Sequence, residues 1–178
     1  MNMANRLRRL RSSASDLRDD LKIVARRSGK SSPTSPAVLT DMSSAALMLI
    51  RSSIALRETF GRSFGTRSAL KWLFKIDLWT DDIGPGLTLP HPFNIVVGAG
   101  VHIGPECTIM HNTTLQHART TRIERGAVLG TGCVVLANRR VGAGAFCGAN
   151  SVVTRDVADG DVVVGAPARS TRAGGAST

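Results

Sequence analysis

The chain contains no tyrosine, and aromatic residues make up only 4% of its 178 residues. With hydrophobic content at 42%, any core must be filled by aliphatic side chains. Cysteine is sparse: Cys107, Cys133 and Cys147. No pair of them has a metal-site spacing, and an odd count argues against a disulfide framework. They read as small buried hydrophobes, which suits a reducing cytoplasm. No long apolar run occurs. The stretch Ala45–Ile50 is broken by Arg51 and is too short to span a bilayer. The N-terminus lacks the apolar core of a signal peptide, so a cytoplasmic location is expected. Acidic residues are few, 13 against 23 Lys and Arg, for a net charge of +10. Much of the excess sits in the first thirty residues, with nine Arg or Lys and three Asp. Such a basic segment can meet nucleic acid or an anionic membrane surface, though a solvated extension is the commoner role. No nucleic-acid partner is expected, and membrane-surface contact through this segment is the option kept open.

What the chain does have is a repeat. Aliphatic residues recur every six positions at Ile83 and Leu89, at Val97, Ile103, Ile109 and Leu115, and at Ile123, Leu129, Val135, Val141, Cys147 and Val153. Half are followed at once by glycine: Gly84, Gly98, Gly104, Gly130, Gly142 and Gly148. A six-residue period with glycine corners points to a parallel β-helix. Three units close one triangular coil, so these anchors predict about four coils stacked at roughly 4.8 Å. The position four residues after each anchor lies near the next corner and is small or apolar, as at Cys107, Thr113, Ala127 and Ala145. Arg139 departs from that rule.

The phase breaks twice, between Leu89 and Val97 and between Leu115 and Ile123. Each break adds two residues that must leave the coil. His91 lies in the first and His117 in the second, each two residues after its anchor. Excursions from a rigid scaffold are natural places for chemistry.

Upstream, Leu7, Leu10, Ala14, Leu17, Leu21 and Val24 form one apolar stripe on a helix, suited to a partner subunit or a membrane surface. Residues 28–36, rich in Ser and Pro, read as a linker. Asp41 is a fitting N-cap for a second helix. The expected organisation is a basic helix and linker over 1–35, an α-helical region over 36–80, the β-helix over 81–165 and a tail over 166–178. The fold class is therefore mainly β, a parallel β-helix preceded by an α-helical N-terminal region.

The stretch IGPGLTLPHPFNIVVG (83–98) resembles the active-site segment of the serine acetyltransferases. The stretches SVVTRDV (151–157) and VGAPAR (164–169) resemble the closing segment of hexapeptide-repeat acetyltransferases in general. The resemblance covers residues 76–170. It implies a left-handed parallel β-helix, a homotrimer with a dimer of trimers as the larger alternative, and acetyl-CoA in the groove between neighbouring coils. His91 falls on the family's catalytic histidine. Its imidazole would take the proton from an acceptor hydroxyl as that oxygen attacks the thioester. The family's orienting aspartate would fall on Ile76, and a one-residue slip brings Asp77 there, with Asp81 and Asp82 as weaker candidates. For the family's second histidine, direct alignment gives Thr120. His117 lies three residues upstream, and His111 repeats the position of His91 one coil later, about 5 Å away. Arg119 matches the arginine that takes the serine carboxylate. Thr131, Ala149, Thr154, Arg155 and Arg169 match coenzyme-binding positions, the two arginines suiting its phosphates. No resident metal is expected.

Pro90 is the main departure. Serine acetyltransferases carry an aspartate there that helps hold the amino group of serine, and proline cannot supply that charge. The expected function is therefore an acetyl-CoA-dependent O-acetyltransferase acting on a sugar or specialised small alcohol, with serine O-acetylation as the alternative. Two other classes compete: a zinc hydratase using His91, His111 and His117, and a non-catalytic trimeric scaffold.

Overall fold

The computed structural model describes residues 3–172, with side chains described from Ser12 onward. The six-residue step becomes three columns of inward side chains. Strands β1 (Asp77–Leu78), β2 (Val96–Val97), β5 (Thr114–Leu115), β8 (Val134–Val135) and β11 (Val152–Val153) make the first face. Strands β3 (His102–Ile103), β6 (Arg122–Ile123) and β9 (Arg140–Val141) make the second, lengthened by parallel bridges at Ile83 and Val157. The third holds β4 (Thr108–Ile109), β7 (Val128–Leu129), β10 (Phe146–Cys147), β12 (Val162–Val164) and β13 (Arg169–Ser170), with Thr88 bridged to Thr108. Every named strand pair is parallel except β12 with β13.

The fold is thus a parallel β-helix, as expected, but it has about five coils rather than four. The extra layers come from Leu78, Val157 and Val163, which are buried rungs out of the six-residue phase. Leu78 pairs with Val97, and Val163 with Cys147. The first coil accordingly opens at Asp77. The segment after residue 166 is not wholly a tail, because β13 returns antiparallel onto β12. Leu115, Ile123, Leu129, Val135, Val141 and Cys147 are completely buried, and each such side chain contributes about 1.5–3 kcal/mol.

Among the described residues, four helices precede the coils: α1 (Met3–Arg27), α2 (Pro36–Leu39), α3 (Met42–Phe60) and α4 (Thr66–Phe74). Asp41 caps α3, its Oδ1 accepting from Ser43 N at 2.8 Å. Gly61, at φ +73°, ends α3 in the left-handed region that glycine adopts without strain. The apolar stripe of α1 has a different use from the one expected. Leu21 and Val24 are buried within the chain's own core and Leu17 is packed against it, whereas Ala14 is exposed. The side chains of Leu7 and Leu10 lie outside the described residues. No described helix is long and apolar enough to cross a membrane.

A buried ion pair fastens the helices to the first coil. Asp20 on α1 is fully buried and takes Arg51 Nε at 2.8 Å, Arg51 Nη2 at 3.0 Å and Leu87 N at 2.9 Å. Arg51 on α3 also donates to Ile83 O at 2.8 Å and Gly84 O at 2.6 Å. Burial pushes the Asp20 carboxyl above its ordinary value, while Arg51 pulls it down. Arg51→Met would strand the buried carboxylate and should lower stability by about 3–5 kcal/mol. In urea denaturation, the double variant Asp20→Leu with Arg51→Met should recover part of that loss.

The cysteines are completely buried and unpaired. Burial pushes the Cys107 thiol up to about 11. The contact with Cys133, and then burial, raise that of Cys147. The same contact lowers that of Cys133, but all three thiols are shut off from solvent, so a thiol reagent at pH 7.5 should label none of them rapidly in native protein and all three after denaturation.

Candidate functional site

The edge between the third and first faces carries His91. Its corners turn through left-handed residues, Asn94 (φ 55°), Asn112 (φ 60°), Gly132 (φ 71°) and Asn150 (φ 55°), the residue types that tolerate this backbone. Backbone bonds stack the corners: Asn112 N to Phe93 O at 3.1 Å, Gly132 N to His111 O at 3.0 Å and Asn150 N to Thr131 O at 2.7 Å. Asn94 Nδ2 also donates to Asn112 Oδ1 at 2.9 Å. Phe93, His111, Thr131 and Ala149 therefore stand one above another, coil by coil.

His91 leaves this edge on the first excursion, between Pro90 and Pro92. The excursion is pinned to α4, where Asn94 N donates to Phe74 O at 3.0 Å and the Phe93 and Phe74 rings lie 5.9 Å apart. The His91 ring is exposed and meets His111 edge-on, centroids 5.6 Å apart at 79°. Nδ1 of His111 is buried and has no hydrogen-bond partner among the described residues. The stacking of these two histidines, expected from the repeat count, is present.

The second excursion lies on the opposite edge of the first face. His117 and Arg119 are both exposed there. Its ends are tied to the next coil, with Thr120 Oγ1 and Asn138 Oδ1 at 2.6 Å and Ala137 N donating to Gln116 Oε1 at 3.2 Å. Thr154 and Arg155 follow this edge in the last coil. A face of about five extended residues puts the two edges on the order of 15 Å apart. His91 with His111 and His117 with Arg119 are therefore two separate groups within one chain. The three histidines of the zinc reading do not converge in one chain, and the described residues contain no group of three His, Cys, Asp or Glu placed to hold a metal ion.

Asp77 sits on the outward side of β1, and its carboxylate takes Lys71 Nζ at 3.2 Å. Asp81 is held by Arg67 and by Arg57 at 3.3 Å. Asp82 takes His102 Nδ1 at 2.8 Å. Among the described residues, none of the three is hydrogen-bonded to His91. At the far end, Arg155 and Arg169 line one cavity of about 300 Å³, shared with Asp156 and Asp161. A cleft of about 180 Å³ between α1, α3 and Leu89–Pro90 was not singled out from the sequence. It draws on residues far apart in the chain, with no local signal to unite them.

A hexapeptide β-helix with a histidine at a corner excursion defines the structural class, and comparison with known proteins narrows it. The serine acetyltransferase of Buchnera aphidicola is 39% identical over 94 residues, which cover 49% of this chain and 34% of that protein. A solved serine acetyltransferase in complex with CoA superposes with a TM-score of 0.77 at 26% identity, covering 89% of this chain and 69% of that one. The Neisseria gonorrhoeae serine acetyltransferase in complex with serine gives 0.74 at 25% identity, covering 88% and 68%. No family model matches the chain. The chain spans about a third of the length of the curated relatives it matches. It is serine acetyltransferase-like in both sequence and fold.

Gly98 supports the second excursion from below. A Cβ on it would lie 2.4 Å from His117 N and 2.5 Å from His117 Cα, both backbone atoms that cannot swing aside. Gly98→Ala should displace the loop that carries His117 and Arg119 and cost about 1–3 kcal/mol, measurable as a lowered thermal midpoint.

Proposed function

We propose that this chain is an acetyl-CoA-dependent O-acetyltransferase in which His91 is the general base. The observation that carries the reading is the edge where exposed His91 meets His111 above Thr131 and Ala149. The acceptor hydroxyl gives its proton to the His91 imidazole as its oxygen attacks the thioester carbonyl. The tetrahedral intermediate then collapses, the C–S bond breaks and the imidazolium returns the proton to the departing thiolate. Backbone N–H groups facing the developing oxyanion would lower this barrier further. Thr131 and Ala149 lie along the same edge, where a pantetheine arm would run. Arg155 and Arg169 share a cavity and supply cations suited to coenzyme phosphates.

For the acceptor, the named relatives favour L-serine, and the reaction would yield O-acetylserine. Pro90 favours the second reading, a sugar or specialised small alcohol without an ammonium group. Surface charge supports a homotrimer. Outward positions over the middle coils are Val96, Thr114, Val134 and Val152 on the first face and Thr108, Val128, Phe146 and Val162 on the third, with Asp77 and Arg169 only at the two ends. The second face instead presents His102, Arg122 and Arg140. These two faces, uncharged over their middle coils, suit contact with further copies of the chain, and a neighbour's edge would bring its His117 and Arg119 towards His91.

The test is thiol release from acetyl-CoA by purified protein, with L-serine and a panel of sugars and small alcohols as acceptors. His91→Ala should reduce transfer by about 10²–10⁴-fold while acetyl-CoA still binds. Absence of transfer to every acceptor would favour the scaffold reading.

A further inference from the structure

Arg139 breaks the small-or-apolar rule of its column. Strand register defines that column: His102 pairs with Arg122, Arg122 with Arg140, and Val141 bridges Val157. Val101, Thr121, Arg139 and Arg155 therefore stand in line on the edge between the first and second faces, about 4.8 Å apart per coil. Val101 and Thr121 are completely buried. Arg139 is half-buried. Its Nη1 donates to Asn138 O at 3.2 Å, while its Nε is buried with no hydrogen-bond partner among the described residues. A stranded donor on a charged group costs free energy, and two arginines side by side in register repel each other.

Pairing separates this edge from the face beside it. On the second face, Arg122 and Arg140 share Glu124, and Arg140 also takes Asp159. On the edge, Arg139, Arg155 and the exposed Arg119 of the coil before have no ion-pair partner among the described residues. The two carboxylates that share a cavity with Arg155 are engaged elsewhere. Asp156 Oδ1 accepts from Arg140 N at 2.9 Å, and Asp161 Oδ1 accepts from Val162 N and Ser170 Oγ, both at 2.8 Å. A guanidinium offers Nε and Nη2 as parallel donors, which two phosphate oxygens accept together. We infer that this edge is a phosphate-binding site for a small diphosphate. Arg139 turns outward to hold one phosphoryl group, Arg155 holds the next, and Arg119 flanks them from the second excursion. The turn gives Nε its first partner and gives up one hydrogen bond, to Asn138 O. The site lies across the first face from His91, on the order of 15 Å away within one chain. It does not rest on the acetyl-transfer reading.

The test is calorimetric titration of the full chain with inorganic pyrophosphate. Wild type should bind, and more weakly as salt is raised. Arg139→Leu and, separately, Arg155→Gln should each weaken binding at least about tenfold, the effect of losing a hydrogen bond between charged groups. Arg122→Gln, which removes a cation already engaged by Glu124, should bind as wild type does. Stability separates a ligand-binding role from a structural one. Leucine restores the apolar type that the column takes elsewhere, so Arg139→Leu should melt at or above the wild-type temperature while losing pyrophosphate. No binding by wild type overturns the site. So does undiminished binding by Arg139→Leu, whatever happens to its melting temperature. Competition then identifies the source of the phosphate. Coenzyme A that displaces pyrophosphate where pantetheine does not supports the site with the coenzyme's own phosphates as its occupant. Failure of both to displace it supports a site for a separate phosphorylated molecule. Displacement by pantetheine, which carries no phosphate, overturns the assignment.

Discussion

The Asp20–Arg51 pair governs how the two parts of the molecule meet. A carboxylate on α1 and a guanidinium on α3 are both removed from water, and each would be strongly destabilising without the other. Their remaining hydrogen-bonding capacity goes to the backbone of Ile83, Gly84 and Leu87, all in the first coil. The helices are therefore held on the coil whose exit carries His91. Both walls of the cleft next to that histidine, the end of α1 and the cap of α3, inherit their position from this contact.

The coil was legible because its rungs obey one rule at nearly every step. A buried aliphatic every six residues and a glycine beside it define both the inward face and the corner. The rule failed where the corners shorten. Leu78 stands five residues before Ile83, and Val157 four after Val153, so a strict count passes over both and misses the outer layers. The excursions were legible as breaks in phase, and the meeting of His91 and His111 followed from counting units. The separation of His117 and Arg119 from His91 did not, because it depends on which edge each excursion leaves, a matter of three-dimensional closure. Arg27 and Asp41 carried no signal that they line one cleft, since one reads as a helix-end cation and the other as an ordinary cap. The stripe on α1 was correctly apolar, but periodicity alone does not say whether its partner lies inside or outside the chain. Its described part is spent on the chain's own core.

The prism also divides its labour among faces. On the second face, Arg140 reaches Asp159 at 2.7 Å and Glu124 at 3.3 Å, and Arg122 reaches Glu124 at 3.4 Å. The ladder keeps that side wetted. The hydrogen bond to Arg140 holds the exposed Asp159 carboxyl below its ordinary value. The first and third faces are free of such groups along their strand positions apart from Asp77 on β1 and Arg169 on β13. The edge they share is the one that carries His91, His111, Thr131 and Ala149.

The antiparallel return of β13 has a bearing on solubility. A stack of parallel strands presents an open rim of amide and carbonyl groups at each end, a template on which another stack could grow. Here β13 occupies the outer side of β12, while Val152 N donates to Gly165 O and Ala168 N to Val152 O. The last coil is thereby sealed on two of its three faces by strand and loop whose direction or geometry does not continue the spiral. At the opposite rim, α4 runs into β1, and its Phe74 and Lys71 cover the approach to the first coil. A protein that stacks its own units so readily thus blocks the addition of a foreign one, and end-to-end filaments are disfavoured by the same turns that finish the fold.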